Sequence, residues 1–123
     1  MVKKPVILLV EDEALIAMFL EMELLEAGYS VLGIVSTGEE AVELANQQKP
    51  DLVILDVRLA GEINGIETAQ RLKKTGEIPI IFLTGYLDIE LMETIKTIKP
   101  AGCFIKPVRF REIDTAIRSA LGC

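Results

Sequence analysis

Short, almost unbroken apolar runs alternate along this chain with longer stretches in which apolar and polar residues mix at helical spacing. Residues 6–10 and 52–55 contain no polar side chain, which predicts strands buried on both faces of a sheet. Residues 29–35, 78–83 and 103–105 predict three more strands. Behind the first strand, residues 14–27 are strong helix formers ended by Gly28. Their apolar face is wider than one stripe requires and includes Leu15, Ile16, Met18, Phe19, Met22 and Leu25. Two outlets exist for that excess: a helix pressed deeply into the sheet, or a surface at Ile16, Met18 or Leu20 that meets a partner helix. A second helix is predicted over 39–48, capped by a hydroxyl of Ser36 or Thr37, and a third over 66–74, closed by Gly76. The fourth, over 88–98, is blocked by Pro100. The fifth, over 110–121, carries Ile113, Ala116, Ile117 and Ala120 on one face.

Five strand–helix pairs with short connections predict an α/β fold: a single doubly wound parallel sheet of five strands, with helices on both sides. At 123 residues, half of them hydrophobic, the chain has interior for one domain spanning 1–123 and none for a second. No repeat or linker interrupts it. The net charge of −6, the absence of Trp and only six aromatics speak against a direct nucleic-acid surface, which needs clustered Lys and Arg. No stretch approaches the length of a membrane span, no signal peptide opens the chain, and two cysteines make no disulfide framework; a cytoplasmic location is expected. The absence of His makes a zinc site improbable.

Chemistry concentrates at the strand ends. Glu11 and Asp12 follow the first strand, Asp56 the third, Thr84 the fourth and Lys106 the fifth. In a parallel sheet these all emerge along one edge, where open α/β sheets bind ligands. Asp56 is expected where its buried strand meets water. Carboxylates about 5 Å apart repel by roughly 3 kcal/mol per pair at an effective dielectric near 20, so the cluster calls for a cation. Oxygen-only ligands suit Mg²⁺. A metal, a carboxylate, an ammonium and a hydroxyl together match phosphoryl transfer onto a carboxylate, with Asp56 attacking and no general base required.

In this order and spacing Glu11, Asp12, Asp56, Thr84 and the Lys106-Pro107 pair resemble the receiver domain of two-component response regulators, over about residues 6–121. The resemblance implies a flavodoxin-like sheet of strand order 2-1-3-4-5. It implies that Asp56 takes a phosphoryl group from a histidine kinase, a histidine phosphotransfer protein or a small phosphodonor. Asp12 and Asp56 would ligate Mg²⁺ directly, Glu11 through water, and Arg58 through its backbone carbonyl. Lys106 would touch the phosphoryl oxygens across a cis Lys106-Pro107 bond, and Thr84 would report phosphorylation to a surface that changes affinity for a downstream effector. A homodimer through the fourth and fifth helices is compatible with this reading.

Three departures from the family pattern stand out. The loop after Asp56 is longer by a residue and lacks the usual Met-Pro pair. Cys103 stands where Tyr or Phe is usual, and Phe104 cannot replace it because neighbouring strand residues point to opposite faces. Arg58 and Tyr86, two residues beyond Asp56 and Thr84, are large and would shield an acyl phosphate from water. Other readings fit less well. A dehalogenase-like phosphatase needs an acid where Arg58 stands, and an FMN-binding module needs a phosphate-cradling turn where Glu11, Asp12 and Glu13 stand. A pseudo-receiver that only binds partners would lack the five-residue set.

Overall fold

The computed structural model describes residues 3–85 and 89–122. Its elements alternate as β1 (Val6–Val10), α1 (Ala14–Glu26), β2 (Ser30–Val35), α2 (Gly38–Gln47), β3 (Leu52–Asp56), α3 (Gly65–Thr75), β4 (Ile80–Thr84), α4 (Ile89–Ile98), β5 (Gly102–Ile105) and α5 (Phe110–Leu121). The strands form one parallel sheet in the order β2-β1-β3-β4-β5. β1 and β3, which carry the unbroken apolar runs 6–10 and 52–55, sit side by side inside the sheet, where neither face meets water.

Alternate side chains of each strand supply two cores. On one face Leu8, Val10, Val53, Leu55, Ile80 and Phe82 meet α2, α3 and α4 through Ala41, Ala45, Ala69, Leu72 and Ile95. On the other, Ile7, Leu9, Leu52, Ile54, Ile81 and Leu83 meet α1 and α5 through Ala17, Leu20, Leu24, Ile113 and Ile117. Cys103 packs with the first core and Phe104 with the second, the opposite orientations that strand pleating requires. Burial raises the Cys103 thiol above its usual pKa, as suits a packing residue.

Several expectations shift. β2 begins at Ser30, because Tyr29 is a buried turn residue whose hydroxyl donates to Asp114 on α5. β4 runs Ile80–Thr84, so Ile78 precedes the strand and Thr84 is its last residue. Leu20 does not face a partner: it is buried in the core, and Ile16 is half-buried beside it, whereas Met18 is exposed. Thr37, not Ser36, caps α2, accepting from the Glu40 N–H at 3.2 Å. Asp88 and Tyr86 lie outside the described residues, as does Cys123.

The turn from β3 into α3 is fixed by backbone crowding. Asn64 caps α3 by accepting the Glu67 N–H at 2.9 Å, and the Gly65 N–H donates to the Val57 carbonyl at 2.8 Å. A Cβ on Gly65 would collide with the Asp56 carbonyl oxygen and come within 2.7 Å of Val57 Cα, so only glycine lets α3 start this close to the strand end. Gly65→Ala is therefore expected to cost about 1–3 kcal/mol in denaturant unfolding. Gly76→Ala, whose added Cβ meets nothing, should change stability by less than about 1 kcal/mol. Equal effects would rule out the crowding at Gly65.

Candidate functional site

Register brings the strand-end residues together. Val10 pairs with Leu55, Asp56 with Leu83, and Thr84 with Ile105, so Glu11, Asp56, Thr84 and Lys106 finish four adjacent strands at one edge. The backbone continues the ladder past the strand ends: the Val57 N–H donates to the Leu83 carbonyl at 3.0 Å, and the Lys106 N–H to the Thr84 carbonyl at 2.7 Å. Each side chain therefore leaves a fixed backbone position rather than a free loop.

Lys106 Nζ lies 2.6 Å from Asp56 Oδ2 and 2.9 Å from Glu11 Oε1. Asp56 does not meet water as its sequence position suggested. It is 5 % exposed, because the turn into α3 folds over the end of β3 and Lys106 reaches across from β5. Its Oδ1 accepts the Arg58 N–H at 3.0 Å. Glu11 is more buried still, and its Oε2 accepts the Glu13 N–H at 3.2 Å. Asp12 is exposed at the rim, with a carboxylate oxygen within 4.8 Å of those of Glu11 and Asp56. Thr84 is buried at the end of β4.

The electrostatics follow from crowding. Burial, then the contact with Asp56, pushes the Glu11 carboxyl up to about 7, against the opposing pull of Lys106. Burial also works against charge on Lys106, but the hydrogen bonds and field of Asp56 and Glu11 outweigh it and its pKa rises. With all groups ionised, three carboxylates face one ammonium, an excess of negative charge that favours a divalent cation. The donor set is oxygen only, with one exposed carboxylate at the rim, and so fits Mg²⁺, which keeps several waters. The Lys106-Pro107 peptide bond is cis.

A set of residues that the sequence did not mark holds the long loop after β3. Glu39 accepts the Glu62 N–H at 3.1 Å, and Thr37 forms an isolated bridge to Ala60. Hydrogen bonds from its own N–H and from that of Glu62 keep the Glu39 carboxyl below its ordinary pKa. Only a pairing across 23 residues reveals this role, and nothing local to Glu39 announces it.

Residues 7–118 match the family model described as response regulator receiver domain. The chain belongs to that family. Among relatives, this receiver domain is 37 % identical over 115 residues to the transcriptional regulatory protein PdtaR of Mycobacterium tuberculosis, covering 94 % of the chain and 56 % of the relative. It is 38 % identical over 116 residues to the phyllosphere-induced regulator PhyR of Methylorubrum extorquens, covering 94 % and 43 %. The chain thus spans about half the length of these curated relatives. The signal receiver domain of a modulated diguanylate cyclase from Desulfovibrio desulfuricans G20 superposes with a TM-score of 0.92 at 38 % identity, covering 98 % of this chain and 95 % of that one. The sheet order matches the expected receiver fold, and the family is a signalling one of two-component systems.

Between its ordinary value and about 7, Glu11 holds a proton in the folded receiver domain that the unfolded chain has released. Its contribution to stability is therefore present at acidic pH and lost as the pH rises through 7. Without divalent cations, the thermal midpoint is expected to fall between about pH 6 and about pH 8, and Glu11→Gln should shrink that fall. Equal falls in both proteins would assign the effect elsewhere.

Proposed function

We propose that this receiver domain accepts a phosphoryl group on Asp56 from a phosphohistidine of a histidine kinase or histidine phosphotransfer protein, and that the acyl phosphate changes affinity for a downstream effector protein or domain. The observation that carries the reading is the cluster of buried Asp56 and Glu11 bridged by half-buried Lys106, with Asp12 at its rim. Glu11, Asp12 and Asp56 would hold Mg²⁺, with the Arg58 carbonyl as a further ligand. When bound, Mg²⁺ supplies positive charge to the oxygens of the transferring group.

An Asp56 carboxylate oxygen attacks phosphorus, and the bond from phosphorus to the histidine nitrogen breaks. The electron pair stays on that nitrogen, which then takes a proton. Lys106, already 2.6 Å from Asp56 Oδ2, places its ammonium where the added negative charge arrives. The Thr84 hydroxyl, at the end of the neighbouring strand, would donate to the phosphoryl group and carry its presence toward α4, β5 and α5. An apolar groove of about 370 Å³ lined by Ile16, Phe19, Leu20 and Val108 reaches Lys106 and Pro107 and gives a phosphodonor a surface beside the site. No helix of the described residues is long and apolar enough to cross a membrane, and a cytoplasmic setting is consistent with a kinase as donor. Direct nucleic-acid contact is not part of the proposal, since the chain carries a net charge of −6.

Incubation with acetyl phosphate and Mg²⁺ should add the mass of one phosphoryl group to the intact chain, and removal of Mg²⁺ or the change Asp56→Asn should abolish the gain. An unmodified native chain would favour a pseudo-receiver that only binds partners. The same adduct reports hydrolysis. Replacing Arg58 and Tyr86 together with small residues is expected to shorten its lifetime several-fold, and an unchanged lifetime would end the idea that these side chains shield it.

A further inference from the structure

The loop between β3 and α3 is tied to the strand-end site at its two ends and to another helix in between. The Arg58 N–H donates to Asp56 Oδ1 at 3.0 Å, and the Gly65 N–H donates to the Val57 carbonyl at 2.8 Å. Those bonds fix the peptide that enters Arg58. The Arg58 carbonyl belongs to the next peptide, shared with Leu59, and its direction depends on where the chain goes afterwards. The chain goes to α2. Ala60 bridges to Thr37, and the Glu62 N–H donates to Glu39 Oε2 at 3.1 Å. Gly61, with a φ of 92°, brings the loop so close that a Cβ on it would lie 3.0 Å from Glu39 Oε1. The helix offers a firm base for this contact, because its first residue, Gly38, is buried against Ile63 and Thr68 with no room for a Cβ.

Core packing does not account for Glu39. Its side chain is exposed and adds nothing to the buried apolar surface. It supplies instead a charged acceptor for an amide of the loop, and an ionised acceptor holds an N–H more firmly than a neutral one. A loop left free would have to be ordered whenever a cation binds, and ordering it in advance removes that cost from the affinity. Resting on the reading of Glu11, Asp12, Asp56 and the Arg58 carbonyl as an Mg²⁺ site, we propose that Glu39 is a positioning residue for the cation: by holding Glu62 it fixes the loop that carries the Arg58 carbonyl and raises the affinity for Mg²⁺ without touching the metal.

The test is a titration of the whole chain with Mg²⁺, followed by amide shifts in two-dimensional NMR. Glu39→Ala should weaken Mg²⁺ binding by about three- to tenfold, as loss of an outer support does at metal sites. Glu39→Gln removes the charge but keeps an oxygen able to accept the Glu62 N–H, and its affinity should lie closer to that of the native chain than to that of Glu39→Ala. Because coupling is reciprocal, Mg²⁺ should slow hydrogen exchange at the Glu62 amide in the native chain and leave it unchanged in Glu39→Ala. With acetyl phosphate, Glu39→Ala should raise the Mg²⁺ concentration for half-maximal phosphorylation by the same factor as it weakens binding, while the rate at saturating Mg²⁺ changes by less than about twofold. Gly61→Ala, which crowds Glu39 from the loop side, should also weaken Mg²⁺ binding. Native affinity in Glu39→Ala would overturn the proposal and leave the metal site standing. Equal weakening in Glu39→Ala and Glu39→Gln would assign the effect to charge alone and overturn it too. A native chain whose spectrum does not respond to Mg²⁺ would overturn the metal site and this role of Glu39 together, a result read before any variant is compared.

Discussion

A single ammonium group ties together two buried carboxylates from different strands. Lys106 at the end of β5 reaches Asp56 at the end of β3 and Glu11 beyond β1, across contacts separated by 50 and 95 residues. Removing it would leave two carboxylates side by side in a site with little water, a strongly destabilising change. The pair of carboxylates is in turn what holds the charge on Lys106 against burial. The geometry thus holds these groups in a partly neutralising arrangement, with the ammonium shared between the two carboxylates.

Precision in this arrangement comes from the backbone. Three strand pairings set the relative heights of Glu11, Asp56, Thr84 and Lys106, and hydrogen bonds from Val57 and Lys106 carry the ladder one residue past the strands. Gly65 permits α3 to begin against Asp56, while Thr37 and Glu39 at the start of α2 hold the loop between them. The longer loop after β3 is accommodated in this way by contacts from another element, without displacing the site.

The same sheet treats its two outer helices differently. On α5 the buried apolar residues lie along one side, and Asp114 and Arg118 pair on another. On α1 the outward side is also apolar, and its flanks are acidic. Core packing explains Ala17, Leu20 and Leu24 and has no use for Leu15, Met18, Met22 or Leu25, which water would favour replacing with polar groups.

Local sequence determined the elements. Unbroken apolar runs marked the central strands β1 and β3, the Ser36-Thr37 pair marked the start of α2, and Gly28, with its φ of 98°, followed the end of α1. The gathering of Glu11, Asp56, Thr84 and Lys106 at one edge was legible too, because a parallel sheet sends every strand end to the same side. Tertiary structure alone decided that Asp56 is buried, that Lys106 pairs with it and Glu11, that Tyr29 leaves β2 to bond Asp114, and that Leu20 faces inward while Met18 does not. Hydrophobic periodicity is a property of neighbours along the chain, whereas these outcomes depend on register between segments tens of residues apart and on which side of a helix the sheet occupies. A helix apolar on two opposite sides, such as α1, carries no signal of that choice until the sheet supplies one.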